Sequence, residues 1–348
     1  MPSISTIQAG IAELPKGPPI VAAFAGGTTG IGSYIVKALA TVFANKGDRL
    51  RIYIIGRNAE RGNAVISECS KISPGSDWRF VKSPDLSLIS EVDKCCTEIA
   101  RLETESPFHG GPPRLDLLYM SHSHPIVGNR TTTAEGLDAL ESTLYYSRVR
   151  FVTKLAPLLS ASPRAGHAVS VYLGAKERGV TTDAYIGRTP DEKYGVVEVG
   201  RYLGFMKTMV FEDLAEKYAG KIRFTHIFPG LVDGPGFDQL PRVYRILWTL
   251  LKPIAWIWMT PPEDCGAVMV YLATDRFPAK GAAKDGADVV RASSGERGGG
   301  SYSLGQLADA PPQQVLYEKA RKEDTHKKAW DYTMNLLDDI EKRNLARG

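Results

Sequence analysis

Cysteine is scarce in this chain: four in 348 residues, at positions 69, 95, 96 and 265. They form no Cys-x-x-Cys pair, and none stands at metal-ligand spacing from a histidine, which argues against a disulfide framework and gives a metal centre little support. Cys95 and Cys96 are adjacent and unsuited to an ordinary mutual disulfide, so the usage fits a reducing, cytoplasmic setting. A concentration of one charge is also missing. Forty-three Lys and Arg face 39 Asp and Glu, a net +4 with no basic run, which argues against nucleic acid as a partner. Met1-Pro2-Ser3-Ile4 opens neither a basic nor an apolar segment, so no signal peptide is expected. Without one, the sequon Asn129-Arg130-Thr131 is a chance match. The longest apolar stretch, Val243 to Met259, contains Arg245, Lys252 and Pro253, and is too short and too charged to span a bilayer.

What remains is an ordinary globular composition, 43% hydrophobic and 24% charged, with 34 Gly and 22 Pro. Short apolar runs alternate with helical patterns. Ile20 to Ala25, Leu50 to Ile55, Trp78 to Val81, Leu115 to Met120, Ala168 to Leu173 and Ile222 to Phe228 are predicted strands. Ile31 to Phe43, Ala59 to Ile72, Leu86 to Leu102, Thr133 to Leu159, Val196 to Tyr218 and Pro312 to about Arg343 are predicted helices. Lys280 to Gly300 reads as a loop. Strands alternating with helices of this length predict an α/β fold, a doubly wound parallel sheet with helices on both faces. An N-terminal arm, residues 1–17, precedes a single domain, residues 18–348.

The sharpest motif is Gly26-Gly27-Thr28-Thr29-Gly30-Ile31-Gly32, set between the first strand and the first helix. Glycines there permit a tight turn and close approach of the backbone to a pyrophosphate, which the free N–H groups of the helix N-terminus can bind.

The spacing Gly26-xxx-Gly30-x-Gly32 resembles the cofactor loop of short-chain dehydrogenases/reductases, with Ala25 where Thr is usual. Further landmarks follow in the family's order. Gly56-Arg57-Asn58 ends the second strand, where an NAD site would carry Asp or Glu. Arg57 instead offers donors for a 2′-phosphate, so the resemblance implies NADP(H). Asp85-Leu86-Ser87 resembles the adenine contact, Ser121 stands in the segment after the fourth strand, and Pro229-Gly230-Leu231-Val232 resembles the turn that meets the nicotinamide amide. The implied fold is Rossmann-like. The implied cofactor residues are Gly26, Thr28, Thr29, Gly30, Ile31, Gly32, Arg57, Asn58, Asp85, Leu86, Ser121, Pro229, Gly230 and Val232.

The family's catalytic pattern is largely absent. Members use a Tyr-xxx-Lys pair with a supporting Ser and Asn, because a tyrosine near its ordinary pKa of about 10 is a poor base at neutral pH. Tyr194 is the positional candidate, yet the residue four later is Glu198. Tyr202 has Met206 at that spacing, and Lys207 comes one residue too late. Leu173 or Gly174 stands at the serine position, Ser170 reads as a strand residue, and the asparagine is replaced within Tyr145-Tyr146-Ser147-Arg148. His122 and His124 are alternative proton donors, though ordinary loop histidines are the commoner case. Tyr172 could face a substrate or simply pack.

Together with Glu135-Gly136-Leu137, Leu155 to Leu159, Pro261 to Gly266, Gly300 to Leu304 and Ala329 to Thr333, these departures resemble a divergent fungal group associated with natural-product pathways. The implied function is NADP(H)-dependent oxidoreduction of an apolar carbonyl or alcohol, with Tyr194 handling the proton and Tyr202, the cofactor ribose or water assisting. Two rivals stand beside it: a non-redox isomerase, cyclase or dehydratase, and an inactive NADP(H)-sensing protein. Residues 233–262 form the expected lid, in which Leu247, Trp248, Leu250, Leu251, Ile254, Trp256, Ile257 and Trp258 could line a substrate pocket, pack on the core or a second subunit, or touch a membrane. Residues 304–348 form a C-terminal extension. A homo-oligomer is open.

Overall fold

Ile20–Ala25 carries six apolar residues without interruption, and all six are buried, as a strand covered on both faces must be. In the computed structural model, which describes residues 2–124, 129–177, 186–234, 242–310 and 315–346, this run is β1. The chain begins with α1 (Ile4–Ile11), then β1, α2 (Gly30–Val42), β2 (Leu50–Gly56), α3 (Ala59–Ile72), β3 (Asp77–Lys82), α4 (Ile89–Glu105) and β4 (Leu117–Met120). The short α5 (Ala139–Glu141) and a π-helical turn, Ser142–Tyr146, lead into α6 (Ser147–Ser160) and β5 (Gly166–Val171). There follow α7 (Val196–Lys217), β6 (Ile222–Ile227), β7 (Leu231–Val232), α8 (Arg242–Ala255), β8 (Met259–Thr260), α9 (Pro262–Tyr271), β9 (Ser301–Leu304), α10 (Val315–Lys322) and α11 (Thr325–Leu345).

Seven strands form one parallel sheet in the order β3-β2-β1-β4-β5-β6-β9, and β7 pairs separately with β8. The order reverses between β1 and β4, which opens a crevice at the carboxyl ends of the strands, the usual ligand position in such sheets. Side chains alternate across the sheet. Val21, Ala23 and Ala25 face one apolar layer with α4, α6, α7 and α11. Ala22 and Phe24 face the other, with α2 and α9. The expected doubly wound α/β architecture is therefore present.

Several boundaries differ from the expectation. The helix expected over Thr133 to Leu159 begins only at Ala139. Gly136 takes a left-handed conformation (φ +87°), Thr132 bridges to Asp138, and the Asp138 carboxylate caps α5 by accepting from Glu141 N at 2.9 Å. The expected C-terminal helix is two helices, broken at Asp324, whose φ is +52°; its expected start at Pro312 lies outside the described residues. Leu115 and Asp116 precede β4, and the Asp116 carboxylate accepts from Val21 N at 2.7 Å. The first residues fold onto the body, since Ile7 of α1 is fully buried in the layer that holds α9. β9, which composition did not reveal as a strand, closes the sheet beside β6.

Candidate active site

The glycine-rich turn is shaped by sterics that only glycine satisfies. Gly26 (φ +90°) and Gly30 (φ +57°) occupy left-handed backbone space. A Cβ on Gly32 would lie 2.2 Å from the Gly26 carbonyl oxygen and 2.5 Å from Ser121 Oγ. The first turn of α2 packs that closely against the end of β4. Thr29 is the N-cap residue of α2, but its side chain makes no capping hydrogen bond. The helix N-terminus therefore keeps N–H groups and a positive dipole end for an anion.

This turn forms one wall of a cleft of about 300 Å³ at the carboxyl edge of the sheet. Of the residues singled out in the sequence, Gly26, Thr28, Thr29, Gly30, Ile31, Arg57, Asp85, Leu86, Ser121 and Val232 all line it. Arg57 is exposed and forms no ion pair with an acidic side chain among the described residues. Four others do not line it. Gly32 permits the packing just described. Asn58 caps α3, accepting from Arg61 N at 2.9 Å. Pro229 is buried, and Gly230 (φ +83°) would place a Cβ 2.2 Å from Thr260 Oγ1. Ser87, Thr143, Asp233 and Gly234 also line the cleft. The sequence reads Ser87 with Asp85 and Leu86, and Asp233 and Gly234 only as the start of the lid; Thr143 escapes the sequence reading because its spacing carries no signal of its own. A groove of about 660 Å³ beside Arg164 and Arg223 opens near the amino ends of β1, β5 and β6, away from the glycine turn.

The tyrosines are arranged differently from the family pattern. The Tyr194 hydroxyl donates to the Asp138 carboxylate, 3.2 Å from Oδ1 and 3.1 Å from Oδ2, and Arg130 lies 4.3 Å over its ring. Burial, followed by the Asp138 charge, pushes its pKa well above the ordinary tyrosine value. Tyr202 packs with Phe205, Met209, Tyr317 and Ala320 in an apolar cluster under α10. Neither tyrosine, nor Tyr172, is among the residues that line the cleft.

On α7, the face turned toward the end of β5 carries glycine at Gly200 and Gly204, four residues apart. A Cβ on Gly200 would lie 3.0 Å from Tyr172 Cε1 and 3.4 Å from its hydroxyl oxygen. A Cβ on Gly204 would lie 3.0 Å from Glu177 Cγ and 3.3 Å from His226 Cε1. The missing side chains leave room for Leu173, whose Cδ1 would lie 2.2 Å from a Cβ on Gly200, and for Tyr172 and Glu177, all entering from the β5 side. Burial pushes the Tyr172 phenol up to about 12, while the nearby Arg148 guanidinium acts in the opposite direction.

Arg148 ties this edge together. Fully buried, it donates to Thr143 O (3.1 Å), Ser170 Oγ (2.9 Å), Val171 O (2.9 Å) and His122 O (2.7 Å). Burial lowers its pKa to about 9. Ser170, expected as a strand residue, is thus one of its acceptors. His122 lines the cleft, but its Nε2 lies 2.8 Å from Ser147 Oγ, and burial followed by Arg148 holds it neutral, well below the usual histidine range. Behind them, Glu177 accepts from Thr208 Oγ1 (3.0 Å) and Ser303 Oγ (2.9 Å), and Lys207 is buried without a hydrogen-bond partner among the described residues. Burial drives the Lys207 pKa well down. No cluster of three potential metal ligands occurs among the described residues.

No family model matches the chain. A protein of Stachybotrys chartarum described as short-chain dehydrogenase/reductase SAT2 is 60% identical over 350 residues, spanning 99% of each chain. Oxidoreductase andH of Emericella variicolor is 33% identical, spanning 98% of each chain. The solved structure of L-sorbose reductase from Gluconobacter frateurii, complexed with NADPH and L-sorbose, shares the fold. Its TM-score is 0.54 at 18% identity, over 86% of this chain and 98% of that one. Near-complete coverage at 60% identity, with the glycine turn in place, establishes that the chain belongs to the short-chain dehydrogenase/reductase family.

Proposed function

We propose that this protein is an NADP(H)-dependent oxidoreductase acting on a carbonyl or alcohol of an apolar metabolite. The observation that carries this reading is the convergence of the Gly26–Gly32 turn, Arg57, Asp85 and Val232 on one cleft. The residues fit the cofactor. The steric cradle at Gly32 and the uncapped α2 terminus suit a pyrophosphate, Asp85 and Leu86 suit an adenosine, and Arg57 suits a 2′-phosphate. NADPH-bound and NADP-bound neighbours of the same fold agree with the choice. When bound, the cofactor supplies or accepts a hydride at its nicotinamide ring.

The protein must then move one proton to or from the substrate oxygen. Tyr194 is the residue that the family pattern nominates, and its hydroxyl is committed to Asp138. What supports Tyr172 instead is its place one residue beyond Val171. The Val171 carbonyl shares the Arg148 guanidinium with the carbonyl of His122, which lines the cleft. A neutral phenol there donates to the developing alkoxide during reduction, and Arg148 stabilises the phenolate that remains.

A thermal-shift titration tests the cofactor reading: NADPH raises Tm more than NADH at equal concentration. The absence of a shift with either nucleotide overturns it. Substrate conversion with no change in NADPH absorbance would support the non-redox rival instead.

A further inference from the structure

α8 and the turn that follows it expose more apolar surface than any other described segment. Val243 is 74% exposed, Leu250 70% and Ile257 77%, and Trp256 and Trp258 are exposed beside Ile257. At about 100° per residue, Val243, Ile246, Leu247, Leu250 and Leu251 fall within an arc of about 140°. Arg242, Arg245 and Lys252 share an arc of about 80° on the opposite side. No Asp or Glu occurs between Asp238 and Glu263. Arg242 and Arg245 are exposed and form no ion pair among the described residues, whereas Lys252 donates to Asp233 Oδ2 at 2.7 Å. Asp233 lines the cleft and its carbonyl accepts from the Tyr34 hydroxyl, so α8 is tethered to the mouth of the site. No described helix is long and apolar enough to cross a membrane.

An apolar stripe, an opposite side whose charges are all basic and flanking tryptophans together match a helix that lies in the interface of a lipid bilayer. We infer that α8 and Trp256–Trp258 dock the protein on the surface of an anionic membrane, with the cleft mouth facing the lipid. The apolar stripe sinks to the level of the upper acyl chains, the tryptophans sit at the headgroups, and Arg242 and Arg245 meet the anionic lipid charges. The charge is what favours lipid over a second copy of the chain. Two copies of α8 would bring cations together with no carboxylate on the segment to offset them. An apolar substrate dissolved in the bilayer would then reach the cleft without crossing water. The docking does not depend on the redox reading, and its test involves no turnover.

The experiment is co-sedimentation of the full chain with phosphatidylcholine vesicles, with and without phosphatidylserine. The expected result is pelleting that is strongest with phosphatidylserine and weakened by salt. Arg242→Gln and Arg245→Gln should each lower partition onto anionic vesicles about fivefold and leave weak partition onto neutral vesicles unchanged. Val243→Asp combined with Leu250→Asp should abolish binding to both. The unmodified protein provides a readout free of folding artefacts: lipids brominated on the acyl chain should quench tryptophan fluorescence. A protein that stays in the supernatant with every vesicle, unquenched, overturns the inference. So does a dimer in sedimentation velocity that Val243→Asp/Leu250→Asp dissociates while no vesicle is bound, since the face then belongs to a second copy.

Discussion

The Tyr194 hydroxyl donates to the carboxylate of Asp138, the same group that caps α5. Burial and the Asp138 charge hold the phenol protonated, and the bond ties the turn before α7 to the segment that follows β4. Tyr194→Phe should cost about 1 kcal/mol of stability in denaturant unfolding and leave kcat within a few-fold. Tyr172→Phe should lower kcat by about 10²–10⁴ with little change in Tm. The reverse pattern, measured side by side, would return the proton role to Tyr194.

Arg57 is exposed at the cleft and free of an acidic partner among the described residues. Arg57→Ala should weaken NADPH binding by roughly tenfold to a hundredfold, the worth of one or two charge-assisted hydrogen bonds. NADH binding should change little. Isothermal titration with both nucleotides reads the difference, and equal losses for both would remove Arg57 from the 2′-phosphate site.

Gly32→Ala puts a Cβ within 2.2 Å of the Gly26 carbonyl oxygen, which is backbone and cannot swing aside. The turn must shift to admit it. Nucleotide binding should be lost, and Tm should fall by several degrees in a scanning experiment.

Arg148 satisfies four acceptors from three elements while fully buried. Arg148→Met should destabilise the protein by about 3 kcal/mol or more, because those acceptors are left without a donor. Arg148→Lys should not restore stability, since an ammonium cannot reproduce the fork that spans Ser170, Val171 and His122. Urea unfolding of the three proteins gives the comparison.

His226 is buried neutral. Desolvation, reinforced by Lys207, lowers its pKa to about 4, against 6.5 for the free side chain. The folded state therefore binds fewer protons than the unfolded chain between those values. The stability contribution is full above about pH 6.5 and falls as the pH drops toward about 4, by up to about 3 kcal/mol. Glu177, whose pKa is also lowered, adds a loss of the same sign at the acid end. Unfolding free energies measured at about pH 7.5, 5.5 and 4.5 should decline in that order.

The parts of the fold legible in the sequence are those set by local chemistry. A continuous apolar run such as Ile20–Ala25 has one economical fate, a strand buried on both faces. The glycines at 26, 30 and 32 follow from a turn that no other residue can make. Ten of the fourteen residues read from the sequence for the cofactor line the cleft, because that wall is built from strand ends and the turns after them, in chain order. The helix start at Ala139 and the break at Asp324 were less legible. Each depends on a single residue adopting left-handed or capping geometry, which periodicity does not reveal.

The catalytic edge was legible only as a set of absences. Sequence spacing could show that Glu198 and Met206 stand where a lysine would be expected. It could not show that Gly200 and Gly204 open the α7 face to Tyr172 and Glu177 arriving from β5, or that one arginine fastens three elements behind them. The apolar stretch from Val243 offered four fates in the sequence, and the structure leaves its stripe exposed. The sequence alone determined the α/β architecture and the nucleotide turn, because hydrophobic period and glycine sterics act over a few neighbouring residues. The tertiary structure decided which tyrosine meets which partner and which apolar face stays uncovered, because those outcomes depend on contacts between elements tens of residues apart.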